Sequence, residues 1–241
     1  MFEVIETNAR FLLIGSYPNG PLGGLALTLI LSLLGLALAF PLGLMLALCR
    51  VAPFAVLRIV SGIFVYVMRG IPLVMLIFWS YFLVPRLTGH AVSAFTALLV
   101  TLVLYQSAYL CEVIRAGIDA LPKGQFEASR SLGMTYGQTI RMVILPQSLF
   151  NMLPSLLGQF VGLVKDTSIG YVISVNELTF SAQQINNSLL TRPFEVFFLL
   201  ALTYFVVCFS LTAGVNFLER RISRKSVPTN AALEVVNASA V

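Results

Sequence analysis

Charge is what this sequence has least of. Only 10% of its 241 residues are Asp, Glu, Lys or Arg, against 58% hydrophobic, whereas about a quarter of a soluble domain is charged. That balance excludes a water-soluble globular fold. Histidine is nearly missing: the lone His90 falls in a short loop, where a solvated or structural imidazole is expected rather than a metal ligand. The three cysteines, Cys49, Cys111 and Cys208, are odd in number and stand in or beside apolar runs at no metal-ligand spacing. Neither a disulfide nor a metal site is expected. No Gly-Lys dipeptide occurs, which excludes a G-x-x-x-x-G-K-[ST] phosphate loop. Any ATP-driven work therefore needs another protein. The first ten residues hold Glu3 and Glu6 and no basic stretch ahead of a short apolar core, so no cleaved signal peptide is expected and the first span must target the chain. The net charge of +5 is spread along short loops rather than gathered on one face, so no nucleic-acid partner is expected.

What is there is apolar length. A span needs about 20 mainly apolar residues. Leu22 to Leu48, Ala91 to Cys111, Met142 to Val164 and Val196 to Leu218 satisfy this with no charged residue, and Ile59 to Val84 makes a fifth, broken only by Arg69. An all-α, polytopic membrane protein with about five transmembrane helices follows, embedded in lipid over residues 22–221. Arg50, Arg58, Arg115, Lys123, Arg130, Arg141, Arg220, Arg221, Arg224 and Lys225 flank one side, and only Arg10, Arg86 and Arg192 the other. By the positive-inside rule the first side is cytoplasmic. The segment 1–21 then lies outside and the tail 222–241 inside, the latter expected to be disordered beyond Ser226.

One polar stretch interrupts the apolar pattern. Between residues 119 and 141 the chain reads as two short helices meeting at a turn that projects into the cytosol without spanning. Pro122 opens the first, Gly133 falls where a left-handed C-terminal cap belongs, and Thr135 with Gln138 has capping-box spacing. It is a candidate handle by which another protein would move this one.

The handle carries a resemblance. Glu127-Ala128-Ser129, Gly133, and then Val143-Ile144-Leu145-Pro146 stand at the spacing of the cytoplasmic loop signature of membrane-spanning ABC importer subunits, with Ser129 for Ala and Val143 for Ile. Arg69-Gly70-Ile71-Pro72-Leu73, Glu112-Val113-Ile114-Arg115-Ala116-Gly117-Ile118 and Lys165-Asp166-Thr167-Ser168-Ile169 resemble the polar amino acid branch of that family (histidine, glutamine, glutamate and aspartate type), which more often has Thr at the position of Ile71. The resemblance covers roughly Leu22 to Arg221. It implies a type I ABC importer permease fold with a cytoplasmic coupling-helix loop in a bacterial inner membrane. It further implies a cytoplasmic ATP-binding cassette dimer that uses ATP and Mg and grips Lys123 to Gln138. Glu127 would make polar contact and Gly133 allow close approach, beside Ala128, Ser129, Leu145 and Pro146. The other implied partners are a second permease chain, identical or paralogous, a periplasmic amino-acid-binding protein, and the substrate. The chain itself would bind no cofactor.

Several polar groups sit where lipid makes them costly. Arg69 lies eleven residues after Arg58, about 16 Å along a helix and near mid-membrane. A charge there costs at least about 2.5–3.5 kcal/mol, so it must face a cavity or a partner. Gly70 and Pro72 loosen the helix beside it, which is tolerated only where backbone lines protein or water. A structural arginine holding broken carbonyls is the competing explanation. Lys165 and Asp166 close the fourth apolar run, and the apolar residues Ile169 to Val175 suggest that the chain is still inside the protein there. An ordinary interfacial pair is the alternative. A zwitterionic amino acid needs a cation for its carboxylate and an acceptor for its ammonium, and Arg69 and Asp166 supply both. In the resembling branch these motif positions line the transport pathway, bringing in Gly70, Lys165, Thr167 and Ser168. Gln106, Gln147, Asn151 and Gln159 are expected to serve interhelical hydrogen bonding. Gln159, two turns before Asp166 on the same face, is also a candidate for substrate side-chain contact. Glu112 and Arg115, at i and i+3, are expected to pair structurally.

The expected activity is that of a permease subunit, not an enzyme, importing glutamate, aspartate or glutamine. A basic amino acid or an opine is the alternative within the class. A gradient-driven secondary carrier is the alternative outside it, although no internal repeat is apparent. One loop histidine and no paired intramembrane carboxylates leave an intramembrane hydrolase poorly supported.

Overall fold

The computed structural model describes the backbone of residues 2–225 and the side chains of residues 8–220. Among the described residues the chain is helical without named strands. In order stand α1 (Phe2–Ile14), α2 (Gly24–Val51), α3 (Ala55–Gly70), α4 (Leu73–Thr88), α5 (Ala94–Asp119), α6 (Lys123–Ser131), α7 (Tyr136–Ile173), α8 (Leu178–Leu189) and α9 (Pro193–Lys225). The tail expected to be disordered beyond Ser226 lies outside the described residues.

Four helices, α2, α5, α7 and α9, are long and apolar enough to cross a membrane. The fifth expected span is not one rod. The stretch from Ile59 to Val84 divides into α3 and α4, bent by 102° at Ile71 and Pro72. Pro72 supplies no amide hydrogen for a helical turn and its ring forces Ile71 into an extended conformation, φ −103° and ψ 133°. The segment before the first span is helical as well. Its helix α1 packs Leu12 into a core shared with Leu178, Ile185, Val196 and Leu200 of α8 and α9.

Helix α5 is the axis of the bundle and the most buried of the spans. Its partner is α2, and the two backbones close up at Gly43, where a Cβ would lie 2.8 Å from Leu110 Cβ and 3.0 Å from the Ser107 carbonyl. Small residues give membrane helices this proximity, since lipid supplies no hydrophobic drive to hold them together. Around that seam one core gathers Leu46, Val65, Ile114, Met152 and Leu156, and a second Leu31, Ile77, Leu98, Leu163 and Ile173. Large exposed side chains such as Phe205, Phe209, Ile59 and Ile63 face outward, which costs nothing in hydrocarbon.

Two helices absorb a proline by widening. In α4 the turn Trp79–Leu83 precedes Pro85, and in α7 the turn Thr139–Ile144 precedes Pro146, each with hydrogen bonds reaching one residue further than in an α-helix. Such a bulge accommodates a residue without an amide hydrogen. As a result α7 runs unbroken over 38 residues. The second helix of the handle, expected to stand apart, is therefore the first turn of a membrane span.

Candidate functional site

The handle is built by capping at close range. Helix α6 ends in Gly133, whose φ of 82° is the left-handed conformation that favours glycine. The Gly133 amide donates to the Arg130 carbonyl at 3.0 Å and the Met134 amide to the Ser129 carbonyl at 3.2 Å, the paired bonds of a Schellman motif. Thr135 then caps α7 reciprocally: its hydroxyl accepts from the Gln138 amide, and the Gln138 side chain accepts from the Thr135 amide at 2.8 Å. Ser129 is buried, its hydroxyl donating to the Gln125 carbonyl at 2.8 Å. Phe126 meets Tyr136 edge to face, and the Tyr136 hydroxyl donates to the Val51 carbonyl at the end of α2. The handle is thus anchored to the bundle on one side. On the other, Glu127, Ala128 and Gly133 are exposed, Leu132 is 83% exposed, and a Cβ on Gly133 would meet nothing of this chain within 4 Å. Leu145 and Pro146 lie inside α7, where they shape the bulge that joins the handle to the span.

The second cluster lies along one edge of α5. Glu112 is its hub, taking the Arg115 guanidinium at 2.9 Å, Arg50 of α2 at 3.2 Å and Arg69 of α3 at 3.9 Å. Arg115 also reaches Asp119 at 2.6 Å. The expected Glu112–Arg115 pair is therefore part of a larger network tying three helices together. Arg50 stacks over Tyr66 at 5.3 Å and Arg69 over Tyr109 at 5.2 Å, contacts that favour a guanidinium away from water. Arg69 is the loosest member: its ion pair is the longest of the three, and its side chain is 40% exposed.

From Arg69 the polar edge continues along α5 towards its N-terminal end. The Tyr109 and Tyr105 hydroxyls are 3.0 Å apart, and Tyr105 lies within electrostatic reach of both Arg69 and Asp166. Asp166 ends the α-helical part of α7, which tightens over Thr167–Ile173 while the Thr167 hydroxyl donates to the Val164 carbonyl at 2.7 Å. Gly170 and Ile173 are buried there, so the chain has not left the protein interior. Among the described residues no ion pair joins Arg69 to Asp166. Lys165 lines a cavity of about 390 Å³ between α7 and α9 whose walls also include Ser155, Asn216 and Glu219. Gly70 is exposed beside the bend, and Ser168 is half-buried. Gln159 is paired with Gln106 of α5 at 3.1 Å.

Sequence reasoning missed Arg50, Tyr105 and Tyr109 as members of this cluster. Tyr105, Tyr109 and Glu112 stand at i, i+4 and i+7 in an otherwise apolar span, a polar stripe that helical periodicity could have exposed. Arg50 was counted only as a topology marker.

A fixed charge network, a loosely held cation and an anion kept apart from it within a bundle of spans are the equipment of a membrane transport subunit. The chain belongs to the family described as binding-protein-dependent transport system inner membrane component, which it matches over residues 39–224. It is 39% identical to the inner membrane amino-acid ABC transporter permease protein YhdY of Escherichia coli strain K12, over 86% of this chain and 57% of that protein's length. It is also 39% identical to the probable glutamine ABC transporter permease protein GlnM of Bacillus subtilis strain 168, over 82% of this chain and 90% of the relative. Among solved structures, an amino acid ABC transporter crystallised with histidines matches at a TM-score of 0.80 and 33% identity, over 91% of this chain and 97% of that one. The all-α fold is that of the type I ABC importer permeases.

Proposed function

We propose that this chain is the permease subunit of an ATP-driven importer that carries a polar amino acid across a bacterial inner membrane, with glutamate, aspartate and glutamine as the leading substrates. The observation that carries this reading is that Arg69 and Asp166 both lie within electrostatic reach of Tyr105, with no ion pair between them among the described residues. Each charge belongs to a different helix, and neither neutralises the other. A zwitterion laid along the tyrosine edge would give its carboxylate to Arg69 and its ammonium to Asp166. Gly70, Lys165, Thr167 and Ser168 would line the same route. The relatives' amino-acid transport supports the substrate class.

The exposed Glu127, Ala128 and Gly133 would seat against a cytoplasmic ATP-binding subunit that holds ATP and Mg and performs the hydrolysis. This chain binds no cofactor of its own. Because ATPase subunits of this kind work as dimers, a second permease chain, identical or paralogous, completes the membrane part. A periplasmic binding protein delivers substrate. The excess of basic residues at the α2–α3 connection, around α6 and after α9 supports an N-terminus outside and a C-terminus in the cytosol.

The test is uptake per assembled complex in proteoliposomes. Arg69→Ala and Asp166→Asn should each cripple uptake while assembly and stimulation of the ATPase by loaded binding protein survive, since neither residue belongs to the exposed face of the handle. Removing one partner of a desolvated charged contact costs several kcal/mol. Near-normal uptake in both variants removes these residues from the site.

A further inference from the structure

Gln106 of α5 and Gln159 of α7 are 53 positions apart and meet inside the bundle. Gln106 is 2% exposed, and its amide nitrogen donates twice, to Gln159 Oε1 at 3.1 Å and to the Gln159 backbone carbonyl at 3.4 Å. The second contact fixes the direction of the first. A backbone carbonyl only accepts, so the end of Gln106 facing it must be the –NH₂ end, and the atom of Gln159 that the same nitrogen meets must be the oxygen. The Gln159 amide is thereby turned so that its own –NH₂ points away from Gln106. Those two donors have no partner among the described residues, and Gln159 is only half-buried. Gln159 precedes Asp166 by seven residues, two turns of α7, and so shares its face.

From this geometry we infer that Gln106 is a positioning residue for substrate selection: by occupying the acceptor end of Gln159, it makes that residue present donors alone to the substrate side chain. The inference rests on the proposed amino-acid pathway at Arg69 and Asp166, and adds a direction to it. A side chain ending in a carboxylate or an amide carbonyl is matched by two N–H donors. One ending in an ammonium brings a third set of donors against them. If Gln159 could turn freely it would serve either kind, as a neutral amide offers an oxygen or a nitrogen equally well. Buried on α5 and doubly anchored, Gln106 removes that freedom. A hydrogen bond to a charged group contributes enough to separate acceptor-bearing from donor-bearing substrates by about tenfold or more.

The test uses the purified permease–ATPase complex without binding protein, so that selection upstream does not enter. L-glutamate and L-lysine are the probes, and the reading is the ratio of their dissociation constants. Wild-type complex should favour glutamate by at least about tenfold. Gln106→Met keeps the length and burial of the side chain but donates nothing, and it should bring the ratio down several-fold towards that of Gln159→Met. In a Gln159→Met background, Gln106→Met should change the ratio no further. That non-additivity is what a residue acting through Gln159 requires, and a packing defect at Gln106 would not produce it. If glutamate binds but Gln106→Met leaves the ratio unchanged, or if the two substitutions act additively, the inference is overturned while the pathway reading stands. If glutamate binding depends on neither Arg69 nor Asp166, the pathway reading falls and this inference with it. A wild-type complex that binds neither amino acid overturns both.

Discussion

Replacing Gly133 separates what this residue does for its own chain from what it does for a partner. Its φ of 82° puts any L-residue with a Cβ in a strained conformation, at a cost of about 1–2 kcal/mol for an ordinary side chain. Asparagine visits this region more readily than other non-glycine residues. Beyond that local strain the rest of the chain adds no clash, because a Cβ here meets nothing else within 4 Å. Gly133→Asn should therefore leave insertion, the capping of α6 and the bundle intact. A partner that closes on this point faces a different problem: a side chain forced into a packed contact costs typically 1–3 kcal/mol, about five- to 150-fold in the docking equilibrium. Gly133→Asn should reduce ATPase stimulation by loaded binding protein about tenfold or more, and Gly133→Leu should abolish it. Stimulation by reconstituted complexes at matched assembly is the assay. Normal stimulation in Gly133→Asn would refute close approach at this turn and leave the glycine with a purely conformational role.

Glu127→Lys reverses the charge on the exposed face of α6 and should abolish uptake with the chain still inserted; undiminished uptake would count against polar contact there. For orientation, single cysteines in a background lacking Cys49, Cys111 and Cys208 report directly. Gly89→Cys should react with an impermeant thiol reagent in intact cells and Ser226→Cys only after permeabilisation, and labelling of Ser226→Cys in intact cells would reverse the topology. Glu177, in the connection between the last two spans, is fully buried and caps α8 by accepting from the Thr179 and Phe180 amides, both at 2.8 Å, and from the Tyr204 hydroxyl at 3.2 Å. Burial nevertheless pushes its carboxyl up to about 7, above the value of about 4.3 for a free glutamate. The folded chain then holds a proton that the unfolded chain releases, so stability is greatest below the unfolded value and falls as pH rises towards and through 7. The unfolding midpoint of the complex should drop between pH 5 and 8, and Glu177→Gln should flatten that slope; parallel slopes would show that Glu177 does not titrate in this range.

Much of the architecture was legible because it depends on features close together in the chain. Apolar length fixes α2, α5, α7 and α9 as spans, because twenty residues in hydrocarbon must satisfy their own backbone. The handle was legible for the same reason: the bonds at Gly133 and Thr135 reach no further than five residues along the chain. Even the break in the fifth span was visible in Gly70 and Pro72, although neither residue states an angle.

The tertiary structure decided what those local elements meet. The 102° bend sends α4 off the line of α3, a direction set by packing of Leu73 and Ile77 against Ala97 and Leu98. A π-type turn ahead of Pro146 makes the handle and the span one helix, where the sequence alone suggested two bodies. Arg69 read as an isolated charge, yet it is shared between Tyr109 and a carboxylate that two other arginines already hold. Gln106 and Gln159 read as two anonymous polar residues until the crossing of α5 and α7 brought them within 3.1 Å. The sequence alone determined which segments enter the membrane and how the handle is capped, because hydropathy and capping are properties of neighbours in the chain. Which charge faces which, and which end of an amide is left free, depend on residues brought together from different helices, and only the fold supplies that.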